Sequence, residues 1–174
     1  FVEHMFGESS IFAHSWAWTE RFEQTVITSE GIIGDAGAFL ARWGKAFGAG
    51  YQEMFSPDEA LSDIVTMEDL GADDRICVRA YRRDDDSSSR FRFKLYHRAQ
   101  AAPLADVLQI LEHLGLKALV EEGFPVHPSS GEAIWVHEFL VDDPRGEDLV
   151  FSGVARAFEA AWTNRELDRR KVEA

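Results

Sequence analysis

Between Arg90 and Leu140 the hydrophobic period of the chain switches from two to near four and back to two, which restricts the folds open to it more than any other feature. In RFRFKLYHR (90–98), Phe91, Phe93 and Leu95 alternate with Arg92, Lys94 and Tyr96, as in a half-buried strand. Pro103 opens a helix in which Leu104, Val107, Leu108, Leu111 and Leu114 share a face and Gly115 supplies the stop. A strand over 117–126, the turn HPSSG at 127–131 and a strand over 132–141 follow. That last strand is apolar in both alternations, the mark of a central position. A helix over 147–162, led in by Glu147 and Asp148, puts Val150, Val154, Ala157, Phe158, Ala161 and Trp162 on one side.

The order β-α-β-β-α is a ferredoxin-like split βαβ unit without its fourth strand. The segment 75–82 can fill the vacancy. There Ile76, Val78 and Ala80 alternate with Arg75, Cys77, Arg79 and Tyr81, and DDDSSS at 84–89 is a long polar tip that joins it to 90–98 as a hairpin. The expected fold is therefore α+β: a permuted, ferredoxin-like antiparallel sheet with the hairpin strand at its edge, and two helices on one face leaving the other open. Trp135, His137 and Phe139 share one alternation of the central strand. An aromatic row on the uncovered face would be an interface with another domain or subunit.

The first 71 residues carry helical periodicity instead. Trp18, Phe22, Val26 and Ile27 are spaced for one buried stripe, and Phe39, Trp43, Phe47 and Tyr51, at every fourth position, for a single second helix. Ser56, Pro57, Asp58 and Glu59 form a good start for a third, with a cap, a first-turn proline and first-turn acids. The expected division is a helical preamble over 1–71, an α+β domain over 72–163 and a charged tail over 164–174. A chain that opens on Phe1 without an initiator Met reads as an excised piece.

A formal charge of −13 argues against nucleic acid and anionic membranes as partners. The single cysteine, Cys77, cannot make an internal disulfide or a multi-cysteine metal site, and no apolar run approaches the ~20 residues that span a bilayer. The expected setting is the cytoplasm. Eight of the 18 cations, Arg75, Arg79, Arg82, Arg83, Arg90, Arg92, Lys94 and Arg98, fall within 24 residues of the hairpin. They are read as offsetting acids on the same strands or on a neighbouring domain.

Nothing in the sequence carries a catalytic set. His4, His14, His97, His113, His127 and His137 fall on different elements, so neither a metal site nor a catalytic histidine is expected. Gly31, Gly34 and Gly37 lack the preceding strand and the spacing of a dinucleotide loop, and no GxSxG, Walker or HExxH motif is present.

The run FRFKLYHRAQAAPLADVLQILEHLGLKALVEEGFPV, followed by IWVHEFLV, resembles the ACT-like segment of the large bacterial NAD-specific glutamate dehydrogenases. Lys94, Pro103, Leu104, Asp106, Val107, Leu108, Leu111, Glu112, Leu114, Gly115, Leu116, Glu121, Trp135, His137 and Phe139 fit that family's pattern, while Gln109 and Gly123-Phe124-Pro125 depart from it. The resemblance implies an ACT-like regulatory or assembly domain, non-catalytic itself, in a homo-oligomeric enzyme that oxidises L-glutamate with NAD. This segment is expected to hold no cofactor, and its partners to be the other domains and subunits of that enzyme. ACT domains that take amino acids use the strand-to-helix loop, so an amino-acid effector would meet Arg98, Gln100, Ala101 and Ala102. That loop lacks the Asp and Gly such sites carry, and a stand-alone amino-acid sensor is the alternative reading.

Overall fold

The computed structural model describes residues 17–71, 76–145 and 150–174. His4, His14, Arg75, Glu147 and Asp148 of the sequence reading lie outside them. The chain divides into two compact units, one of residues up to Asp69 with Phe124–Ala133, the other of Leu70–Gly123 with Ile134–Ala174.

The first unit is helical: α1 over 17–28, α2 at Glu30–Ile33, α3 at Ala36–Trp43, α4 at Ala49–Met54 and α5 at Pro57–Glu68. Ser56 caps α5 as its sequence demands, its hydroxyl accepting the Glu59 N–H at 3.2 Å. The every-fourth stripe from Phe39 to Tyr51 is not one helix. α3 stops at Trp43, Gly48 caps α4, and between them Phe47 pairs as an antiparallel bridge with Val126. His127 N–H to Ala46 C=O and Ser129 N–H to Arg42 C=O, both 2.9 Å, extend that pairing, so the intervening backbone bonds to a distant segment instead of its own helix. Trp18, Phe22, Phe47, Tyr51, Phe55 and Phe124 form the aromatic core, with Trp18 Nε1 donating to Phe55 C=O at 2.8 Å. Ile27, expected in the α1 stripe, is exposed instead.

The second unit carries a sheet whose strand order is β1-β2-β4-β3, with β1 at Ile76–Tyr81, β2 at Arg90–Arg98, β4 at Ile134–Asp142 and β3 at Lys117–Val126, of which residues up to Gly123 belong to this unit. β1 pairs antiparallel with β2, Val78 opposite Leu95, at the edge where a ferredoxin-like sheet normally carries its fourth strand. The permuted completion read from the sequence is the one that forms. β2 pairs antiparallel with β4, Phe93 opposite Phe139. Helices α6 (Leu104–His113) and α7 (Phe151–Glu173) cover one face, and Phe91, Phe93, Leu95, Val107, Ile110, Leu111, Phe139, Val141, Phe158 and Trp162 fill the core there.

The α6 stripe is rotated from the one expected. Val107, Ile110 and Leu111 are buried, whereas Leu104 and Leu108 are about two-fifths exposed. α7 begins after Val150, which is exposed, and runs through the whole of the expected tail to Glu173. Its extension is tied to α6 where Arg165 donates to Asp106 at 3.1 Å and Arg169 reaches the other oxygen of the same carboxylate. The face away from the helices is not open: Lys94, Tyr96 and Val136 are fully buried.

Candidate functional site

The loop from β2 into α6 is built to be held still. Its backbone turns sharply at Arg98, Ala99 and Gln100, closed by Gln100 N–H to Arg98 C=O at 2.9 Å, with Ala99 at φ +71°, a region that strains an L-residue. Arg98, from the end of β2, anchors one side by donating to the carbonyls of Leu70 (2.6 Å) and Gly71 (3.1 Å). His97 Nδ1–H donates to Gln100 C=O at 2.6 Å. Further along, Ala102 N–H donates to His137 Nε2 at 3.0 Å, and His137 Nδ1 meets Glu121 Oε1 at 2.9 Å. A backbone N–H can only donate, so Nε2 is bare and the proton sits on Nδ1, shared with the Glu121 carboxylate.

This arrangement overturns the expected place of the row Trp135, His137 and Phe139. Their alternation faces the helices: Phe139 lies in the core opposite Phe93, and His137 reaches the start of α6. The register decides it, because β4 pairs Leu95 with His137 and Phe93 with Phe139, and those β2 side chains point toward the helices. Trp135 is half-buried at the end of the row, its ring stacked on His137 with centroids 6.1 Å apart. The row is core packing rather than an uncovered contact surface.

On the opposite face Arg83, Arg92, Asp86 and Glu138 are paired with one another. Glu138 of β4, 4% exposed, accepts from Arg83 at 2.8 Å and Arg92 at 3.5 Å, and the Tyr81 hydroxyl donates to its other oxygen. Arg92 also grips Asp86 of the hairpin tip, Nη2 to Oδ1 at 2.9 Å, and Asp86 accepts the Arg83 backbone N–H at 3.0 Å. Lys94 stands opposite Glu138 in the ladder with its ammonium 5.5 Å from the Tyr81 ring centroid. The polar DDDSSS tip thus contributes a structural carboxylate.

Burial alone would raise the Asp86 carboxyl, but the Arg92 side-chain bond, the Arg83 backbone bond and both guanidinium charges outweigh it and hold Asp86 below its ordinary 3.8. A lowered carboxylate pKa gives stability that is present above the unfolded value and lost as pH falls through the folded one. The expected result is that Asp86→Asn destabilises the chain at pH 7, and that the gap from the unaltered protein narrows below about pH 4. Urea unfolding of both proteins at pH 7 and pH 3 checks this; an unchanged gap would contradict it.

The segments just described coincide with known ones. A family model described as glutamate dehydrogenase, ACT3 domain, matches residues 75–154, and one described as glutamate dehydrogenase, helical motif 2, matches residues 34–70. The NAD-specific glutamate dehydrogenase of Halomonas elongata is 33% identical over 131 residues, covering 73% of this chain and 8% of that protein. The chain belongs to the NAD-specific glutamate dehydrogenase family. The Pseudomonas aeruginosa NAD-specific glutamate dehydrogenase is 28% identical over 142 residues, 82% of this chain and 9% of that protein. The chain therefore spans less than a tenth of the length of these relatives.

The relatives are NAD-specific by name, but the glycine run from Gly31 to Gly37 is not shaped as a dinucleotide loop. Gly34, at φ +81°, ends α2, and Gly37 lies in the first turn of α3 with its N–H donating to the Asp35 carboxylate at 2.9 Å. That carboxylate occupies the donors a pyrophosphate would need, and its charge would repel one. Among the described residues no group of three His, Cys, Asp or Glu side chains converges as a metal site, and no helix is long and apolar enough to cross a membrane.

Of the expected loop residues, Arg98, Gln100 and Ala102 come together through the bonds above, while Ala101 is exposed with no role in them. Glu121, Asp86 and Glu138 were not read as site residues. The strand register alone would have found Glu138, since it places a carboxylate opposite Lys94 and diagonal to Arg92.

Proposed function

We propose that this chain is a non-catalytic ACT-like module that helps assemble or allosterically tune a large NAD-specific glutamate dehydrogenase. The reaction of the whole enzyme would be oxidation of L-glutamate with NAD to 2-oxoglutarate, ammonia and NADH. The observation that carries this reading is the sheet β1-β2-β4-β3, formed by the residues that the ACT3 model matches, with its buried ionisable groups tied to one another. Such groups maintain a shape; they are not poised on a substrate. Its partners would be the other domains and subunits of a cytoplasmic homo-oligomer.

The amino-acid sensor is the reading to test against. In the loop an effector would use, Ala99 occupies the left-handed position that glycine favours, and the polar backbone groups of Gln100 and Ala102 are already bonded to histidines. Purified chain is expected to form no NADH from L-glutamate and NAD, and to give no heat on titration with L-glutamate, L-aspartate or L-arginine. Binding at millimolar concentration or tighter would support the sensor, and NADH formation abolished by a substitution within the chain would overturn the non-catalytic assignment.

A further inference from the structure

We propose that His137 is a proton-operated latch on the loop between β2 and α6. Two imidazoles on neighbouring strands hold this loop in opposite senses. His97 gives its Nδ1–H to Gln100 C=O at 2.6 Å, a bond that a neutral or a protonated ring can make. His137 receives the Ala102 N–H on Nε2 at 3.0 Å, a bond that only a ring with a bare Nε2 can make. Protonation turns that acceptor into a donor, and two N–H groups then face each other in a buried place.

The ring has little freedom to avoid the conflict. It is 3% exposed, tied through Nδ1 to Glu121, stacked on Trp135, and so close to Gly123 that a Cβ there would lie 3.0 Å from Nδ1. The amide is therefore the partner that moves, and residues 98–103 move with it. The Ala99 turn, strained at φ +71°, is held between the two histidine bonds and relaxes when one is lost.

Among the groups that face the ring, Glu121 on β3 is the carboxylate in contact. β2 presents His97, two positions beyond Leu95, which pairs with His137, while Lys94 of β2 and Glu138 of β4 point to the opposite face by strand alternation. From the helices, Asp106 of α6 is occupied by Arg165 and Arg169, and Glu159 of α7 by the Val78 N–H at 3.1 Å. The latch is closed when His137 is neutral and opens as falling pH protonates it, whether or not an effector uses the loop.

The test is a pH titration of the ¹⁵N-labelled 174-residue chain by NMR, following the His137 ring nitrogens and the hydrogen exchange of the Ala102 amide. The expected result is an Nδ1–H tautomer at high pH, and a loss of Ala102 protection of about tenfold with the same midpoint as His137 protonation, beyond the intrinsic pH effect. His137→Gln keeps an acceptor near Nε2 but cannot titrate, and should hold Ala102 protected throughout. Protection that survives protonation of His137 would overturn the latch, as would the same transition in His137→Gln. The titration of the unaltered chain decides the matter even where a variant fails to fold.

Discussion

Phe93→Ala is expected to destabilise the sheet unit by about 3–5 kcal/mol, the range for a fully buried large aromatic. The ring is 0% exposed and lies between Phe158 of α7, at 4.8 Å between centroids, and Phe139 of β4, at 6.3 Å. No neighbour can collapse into the space, because the flanking positions are rings held by a strand and a helix. Leu108→Ala, on the exposed side of α6, should by contrast change stability by no more than about 0.5 kcal/mol. Urea unfolding followed by far-UV circular dichroism measures both. Equal costs would show that the α6 stripe is the one expected from its leucines, not the rotated one.

Glu138→Ala is expected to cost about 3 kcal/mol, because it leaves a buried guanidinium without one of its two carboxylates. Arg92 is 18% exposed at its side chain and would keep only Asp86, while the Tyr81 hydroxyl loses its acceptor. Arg83, 31% exposed, recovers part of its loss by hydration, which keeps the figure at the low end of the range for a broken buried pair. Glu138→Gln retains an acceptor without the charge and should cost less than half as much. A Glu138→Ala protein as stable as its parent would mean that these charges add nothing to the fold.

Strand and helix order were legible because the hydrophobic period changes sharply between β2, α6 and the strands that follow. Phe91, Phe93 and Leu95 declared the helix-facing side of β2 on sight, and the vacancy in the βαββα pattern pointed to the edge that β1 fills. Two of the failures share one cause: a pattern with two solutions of nearly equal hydrophobicity. β4 is apolar in both alternations, so only its register with β2 shows that the Trp135 row faces the helices. On α6, five leucine or valine positions fitted one arc, but the arc that packs takes in Ile110 beside Val107 and Leu111 and leaves Leu104 and Leu108 out. Phe39 to Tyr51 kept helical spacing across a break, since Gly44 and Gly48 weaken the helix and Val126, 79 residues beyond Phe47, offers the backbone another partner. The loop histidines were visible as residues, but their opposite roles as donor and acceptor depend on a fold that brings Glu121, Ala102 and His137 together.

As proposed above, this module tunes or assembles a dehydrogenase without taking part in its chemistry. The direct measurement is steady-state NADH production, with subunit assembly followed in parallel, by a full-length NAD-specific glutamate dehydrogenase carrying this segment with Arg98–Ala102 replaced by a glycine-serine loop of equal length. Turnover at saturating glutamate and NAD is expected to be retained, while glutamate half-saturation, cooperativity or subunit assembly shifts. Abolished turnover in a correctly assembled enzyme would contradict this role, and so would kinetics and assembly both identical to those of the unaltered enzyme.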